Sequence, residues 1–170
     1  MHEKNLDHEI LKLVKSEPEI SSNDIARNLS VPEELVKMRI VNFNDTREKI
    51  LIMSYGRSIY DSLNAVLEPE SYSVVTASEG SSALEAIRAE KPDLVLLDTG
   101  LMDRNGFEIC RQLKANSKYS WIPVIMLGER GEAKDRIEAF ESGADDYVTA
   151  PFSLLELKIR IGMVLRRRQI

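Results

Sequence analysis

One aspartate is placed where it could do chemistry. Asp98 closes the apolar run Leu94-Val95-Leu96-Leu97, and the stretch TGLMDRNGFE follows it. By itself it is a strand-end carboxylate, free to accept hydrogen bonds from backbone or water. The groups that would make it part of a hydrolase or kinase do not accompany it. The two histidines, His2 and His8, lie in the N-terminal segment, and no nucleophile–base pair or phosphate-cradling glycine loop is present. The single cysteine, Cys110, falls on an apolar helix position, so packing is its expected role and no intramolecular disulfide can form.

The elements that must hold Asp98 follow from hydrophobic periodicity. Ile50-Leu51-Ile52-Met53 is a continuous apolar run, as expected of a buried parallel strand. Ile59, Leu63, Val66 and Leu67 mark a helix face, Tyr72 to Thr76 a strand, and Ala83, Leu84 and Ile87 a helix. Leu94 to Leu97 is the third strand, Phe107, Cys110 and Leu113 lie on a helix, and Ile122 to Leu127 is the fourth strand. Ile137, Ala139 and Phe140 lie on a helix ended by Gly143, Tyr147-Val148 belongs to a fifth strand, and Leu154 to Leu165 is a final helix. This alternation predicts an α/β fold: a doubly wound five-stranded parallel sheet, helices on both faces, sites beyond the carboxyl ends of the strands. Those ends are Ser54-Tyr55, Asp98, Gly128 and Ala150.

A different pattern precedes the sheet. Leu6, Ile10, Leu13 and Val14 recur at helical spacing, Ser21 or Ser22 can cap a second helix, and Ser30 can cap a third from about Pro32 to Val41. Glu33, three residues after Ser30, fits a capping box. The polar Asn44-Asp45-Thr46 marks the boundary, giving a three-helix region 1–46 and a sheet region 47–170.

The 170 residues, 43% hydrophobic and 30% charged, are those of a globular protein with room for one ordinary domain and a small appendage. No apolar run is long enough to span a bilayer and the charged start MHEKNLDHEI has no signal-peptide core, so no membrane role and a reduced, cytoplasmic setting are expected. A formal net charge of −5 gives no global reason to bind nucleic acid. Arg166, Arg167 and Arg168 suit the negative end of a helix dipole; a nucleic-acid or partner contact is the alternative.

From about Lys49 to Arg168 the chain resembles the receiver domains of two-component response regulators, on the stretches KPDLVLLD, NGFEICRQLK, GADDYVTAPF and LLELKIRI. The resemblance implies the flavodoxin-like strand order 2-1-3-4-5 and puts Asp98 at the phospho-acceptor position. Receivers hold Mg²⁺ with this aspartate and an acidic pair after the first strand, and the metal neutralises phosphoryl oxygens during transfer. Here Ser54 and Tyr55 stand at the acidic-pair positions, Gly128 at that of a hydroxyl residue, and Ala150 at that of a lysine. Pro151, preceded in the family by a cis peptide bond, is kept, and Tyr147 matches the switch aromatic. The resemblance therefore implies a degenerate pseudo-receiver: no catalytic residue, no required cofactor, and Mg²⁺ binding weak or absent. A conventional phospho-acceptor using Asp98 is the least supported alternative.

The run DRIEAFESGADDY…PFSLLELKIRI resembles the fourth-helix, fifth-strand, fifth-helix face through which receivers of winged-helix transcription factors dimerise. Carried over, Arg136 would pair with Glu156, and Asp146 with Arg160, across a two-fold axis of a homodimer; ordinary intra-chain surface pairs are the other reading. Residues Leu6 to Phe43 resemble the core of a helix-turn-helix, which would put Glu33, Glu34, Lys37 and Asn42 on a DNA-contact helix. Yet Met1 to Thr46 carries six Lys or Arg against nine Asp or Glu. Two functions stay open: a transcriptional regulator working without Asp phosphorylation, or an adaptor that docks a signalling protein and no DNA.

Overall fold

The computed structural model describes residues 3–44, 47–54, 57–77, 83–100, 105–129 and 131–168, with side chains for 6–41, 47–54, 59–77, 83–100, 105–129 and 131–167. Contacts divide the chain into two units, Met1–Thr46 and Arg47–Ile170.

In the larger unit, apolar runs fix the centre of the sheet. Lys49–Met53 (β1), Leu94–Asp98 (β3) and Val124–Gly128 (β4) are buried nearly throughout, as strands covered on both faces must be. Ser73–Ala77 (β2) and Asp146–Thr149 (β5) form the two edges and are less deeply buried. All pairings are parallel, as the alternation of elements predicts, and the order is β2-β1-β3-β4-β5, as the resemblance implies.

Strand alternation sorts the side chains between two helical layers. Ile50 and Ile52 pack with Leu63 and Leu67 of α4 (Arg57–Leu67) and Leu157 and Ile161 of α8 (Leu154–Arg168). Leu51 and Met53 pack on the other face with α5 (Ala83–Glu90), α6 (Gly106–Ala115) and Ala139 of α7 (Ala133–Glu141). Cys110 is fully buried in that second layer, and burial pushes its thiol pKa up. Carboxylates tie the strand starts: Asp93 accepts from the Lys49 amide at 2.8 Å, and Asp145 from the Val124 amide at 2.9 Å. The fourth strand starts at Val124 rather than Ile122, because Pro123 has no amide to give the ladder. The final helix runs on through Arg166 and Arg167 to Arg168, so these cations do sit in its last turn.

The smaller unit is α1 (Glu3–Ser16), α2 (Ser22–Leu29) and α3 (Glu33–Asn44) around Leu6, Ile10, Ile25, Ala26 and Val36. Ser21 caps α2, its Oγ accepting from the Asp24 amide at 3.1 Å. The expected capping box does not form. Ser30 instead ends α2 in the left-handed conformation, φ 55° and ψ 44°, and Glu33 accepts from the Ser22 hydroxyl at 2.8 Å. The third helix extends past the expected Val41 to Asn44; Asp45 and Thr46 lie outside the described residues.

Candidate functional site

The carboxyl ends of β1, β3 and β4 converge on Asp98. Its Oδ2 accepts from the Ser54 hydroxyl at 3.0 Å and its Oδ1 from the Gly100 amide at 2.9 Å. Ser54 is buried, so this hydrogen bond is shielded from water. The second bond is an Asx turn, an aspartate closing on the amide two residues on. The DTG sequence carries that signal, and the sequence reading passed over it. Asn105 does the same one loop later, accepting from the Phe107 amide at 2.9 Å to start α6. Gly106 permits the close approach: a β-carbon there would lie 2.5 Å from the Asp98 carbonyl oxygen.

The donor set does not fit Mg²⁺. At these strand ends Asp98 brings one carboxylate, and Ser54 brings a hydroxyl where a hard cation needs further anionic oxygen. Among the described residues no three His, Cys, Asp or Glu side chains cluster to hold a metal. Tyr55, the other acidic-pair position, lies outside the described residues. Ala150 offers only a methyl group, and the Ala150–Pro151 peptide is cis.

Over Gly128 the space is filled by a ring from the neighbouring strand. The Tyr147 ring is turned inward, 8% exposed. A β-carbon on Gly128 would fall far inside contact distance of the tyrosine Oη and Cζ, and 3.0 Å from Cε2. Burial raises the Tyr147 phenol pKa, the charge of Asp135 adds to the rise, and Arg136 opposes it. A cleft of about 450 Å³ opens beside this ring, lined by Thr99, Asn105, Phe107, Glu129, Lys134 and Tyr147.

The α7–β5–α8 face carries a group of exposed apolar side chains. Ile137 and Phe140 of α7, and Leu155, Ile159 and Met163 of α8, are all exposed. Of the residues expected to ring it, Arg160 pairs within the chain with Asp146 at 3.0 Å and Glu156 at 2.8 Å. Arg136 donates to the Gly131 carbonyl at 3.3 Å. In one chain, then, the Asp146–Arg160 pair is an intra-chain pair.

In the small unit, Lys37 lies 3.2 Å from each of Glu33 and Glu34. The hydrogen bond from Ser22, then that from Lys37, lowers the Glu33 pKa, and Glu33 raises that of Lys37. Met38 and Val41 are 54% and 66% exposed on the same helix. The side chain of Asn42 lies outside the described residues.

Comparison with known proteins places this geometry. Residues 50–162 match the family described as "Response regulator receiver domain". The chain is 41% identical over 123 residues to the alkaline phosphatase synthesis transcriptional regulatory protein PhoP of Bacillus subtilis, covering 72% of this chain and 50% of that one. It is 40% identical over 123 residues to the DNA-binding response regulator MtrA of Mycolicibacterium smegmatis, covering 72% and 53%. The chain thus spans about half the length of the curated relatives it matches. Among solved structures, the BeF3-activated N-terminal receiver domain of Klebsiella pneumoniae RstA superposes with a TM-score of 0.65 at 30% identity, covering 70% of this chain and 99% of that one.

Proposed function

We propose that this chain, which belongs to the response-regulator receiver family, signals without phosphorylation of Asp98. A receiver is a signalling module of two-component systems, not an enzyme. The observation that carries the proposal is the Ser54 hydroxyl bonded to Asp98 where a metal-holding carboxylate would stand. In-line phosphoryl transfer needs cations around the transferring group. At these strand ends the hydroxyl of Ser54, the hydrogen of Gly128 and the methyl of Ala150 supply none. What the two carboxylate oxygens have instead are two neutral donors, the Ser54 hydroxyl and the Gly100 amide.

The output we assign is self-association through α7–β5–α8 into a homodimer. Its support is the row of exposed apolar side chains from Ile137 to Met163, rimmed by Arg136, Asp146, Glu156 and Arg160. The names of PhoP and MtrA favour a role in transcription, with the three N-terminal helices as a helix-turn-helix carrying Glu33, Glu34, Lys37 and Asn42 toward DNA. A specific observation favours a second reading, an adaptor whose N-terminal unit docks a protein. Among the described residues of this helix, Lys37 is paired with two glutamates and Arg39 with Asp7 at 3.5 Å, and the exposed Met38 and Val41 are apolar. Phosphate binding needs free cations. A cytoplasmic setting fits either reading; among the described residues no helix is long and apolar enough to cross a membrane.

The test is intact mass and light scattering on one sample, with and without acetyl phosphate and Mg²⁺. The expected result is no phosphoryl adduct and an unchanged dimer. An adduct that Asp98→Asn abolishes would restore the conventional phospho-acceptor. Fluorescence anisotropy with mixed-sequence duplex DNA at low salt separates the two N-terminal roles: salt-sensitive binding weakened by Lys37→Ala supports the regulator, and no binding supports the adaptor.

A further inference from the structure

Asn105 is the one asparagine of the chain followed by glycine. That pair has a chemistry of its own. The Gly106 nitrogen can attack the Asn105 Cγ, unhindered because glycine has no side chain. The new bond displaces ammonia, which carries off the Gly106 amide proton, and a five-membered cyclic imide remains. Water then opens either imide carbonyl, its hydroxyl going to the carbon and its proton to the nitrogen. The products are aspartate and isoaspartate, and nothing is oxidised or reduced. We propose that Asn105–Gly106 is a spontaneous modification site that the start of α6 holds shut, and that it opens when the first turn of this helix lifts off the end of β3.

Three restraints carry this. Asn105 has a ψ of 125°. For an L residue this sets the Gly106 nitrogen over the α-hydrogen, whereas ring closure needs it over Cβ, a conformation that sterics disfavour. The Asn105 carboxamide is also tied down, its Oδ1 accepting from the Phe107 amide at 2.9 Å, one residue beyond the attacking nitrogen. Finally, Gly106 is buried and its amide donates to the Thr99 carbonyl at 3.4 Å. Its Cα has no room to swing, since a β-carbon there would lie 2.5 Å from the Asp98 carbonyl oxygen and 2.9 Å from the Thr99 Cα. Phe107, Ile109 and Cys110 anchor the same turn in the core. Turning ψ therefore requires a local opening of this turn. The two products then differ. Aspartate keeps the cap and adds a negative charge where the helix dipole favours it. Isoaspartate brings the side-chain methylene into the main chain, at the point where the backbone already touches β3, so the turn cannot reseat. Neither phosphoryl transfer nor self-association takes part, so this site and the proposed function can fail separately.

The experiment incubates the full chain in ¹⁸O-labelled water at mildly alkaline pH, with and without denaturing urea. Trypsin then frees Asn105–Arg111, and mass spectrometry counts the ¹⁸O that marks conversion during the incubation. The expected result is conversion slower in the native chain by more than about tenfold, the ratio following the protection of the Phe107 amide in hydrogen exchange. Equal rates in the two states, or native conversion that outruns opening of the Phe107 amide, overturn the proposal. Purified by chromatography, the isoaspartyl chain should unfold at lower urea than Asn105→Asp, which has the same charge and an unaltered backbone. An isoaspartyl chain as stable as Asn105→Asp overturns it too, because the first turn would then have room to spare.

Discussion

If Asp98 signals without phosphorylation because of its neighbours, as proposed, substituting those neighbours should make it reactive. Each preorganised charge aimed at a transferring group contributes on the order of 100- to 1,000-fold in rate. Ala150→Lys alone leaves no metal site, and Ser54→Asp alone leaves one carboxylate too few for a tight one. The combination Ser54→Asp, Tyr55→Asp, Gly128→Thr and Ala150→Lys should acquire a phosphoryl adduct from acetyl phosphate and Mg²⁺ where the parent acquires none; mass spectrometry decides, and an unmodified rebuilt protein would show that more than these positions is missing. Cys110 gives a second test at this scale. Its burial and raised pKa predict that an aromatic disulfide reagent at pH 8 labels the native chain only at its unfolding rate, and labels it at once in denaturant. Ser54, Gly128 and Ala150 could be counted off the sequence as strand ends, and the resemblance to receivers is what marks them as replacements. The bond from Ser54 to Asp98 and the tyrosine in the space above Gly128 could not, since both depend on which way a side chain turns across neighbouring strands.

At the scale of elements, local signals give opposite predictions for two serines. Ser21→Ala removes the acceptor for the Asp24 amide and should destabilise the N-terminal unit by about 1 kcal/mol. Ser30→Gly relieves a left-handed residue and should stabilise it by up to about 1 kcal/mol. Urea denaturation followed by helical circular dichroism reads both, and a destabilising Ser30→Gly would mean that its side chain contributes more than its backbone costs. The same pair shows where sequence reading stops. Ser-x-x-Glu at Ser30 and Glu33 matches a capping box by type and spacing, but the α2–α3 turn puts Ser30 in a conformation that cannot cap, and Glu33 turns to Ser22 instead. The sheet was legible because runs such as Leu94–Leu97 and Val124–Leu127 are continuous, β-branched-rich or apolar, and too short for a buried helix. Boundaries were less so: Pro123 shortened β4, and α3 outran Val41 to Asn44.

For the whole molecule, ionisation and association each make a measurable demand. Burial raises the pKa of Cys110, Tyr72 and Tyr147, so the folded chain keeps protons that the unfolded chain gives up above about 8.5 for a thiol and about 10 for a phenol. With fewer protons on the unfolded state, stability is full below that range and falls as pH rises through it. Urea midpoints should be level near neutrality and decline above about pH 9, and Cys110→Ala should soften the first part of the decline. The association face makes the stronger claim. Ile137, Phe140, Leu155, Ile159 and Met163 are each between 41% and 62% exposed, and a two-fold interface buries every one twice. At about 1 kcal/mol for each half-exposed side chain covered, the gain is of the same order as the roughly 4–15 kcal/mol lost in freedom on association. That balance favours a weak dimer that forms and dissociates with concentration, not a permanent one. The rim adds little, because Arg160 already has Asp146 and Glu156 within its own chain and exposed pairs exchange at nearly equal free energy. Ile159→Glu should therefore weaken the dimer by more than about tenfold, since a buried unpaired charge costs several kcal/mol, while Arg160→Ala should change it by less. Sedimentation equilibrium distinguishes the two: a wild-type chain that remains monomeric at tens of micromolar (about the range where such weak complexes form), or an Ile159→Glu dimer of full strength, would remove this face from the function.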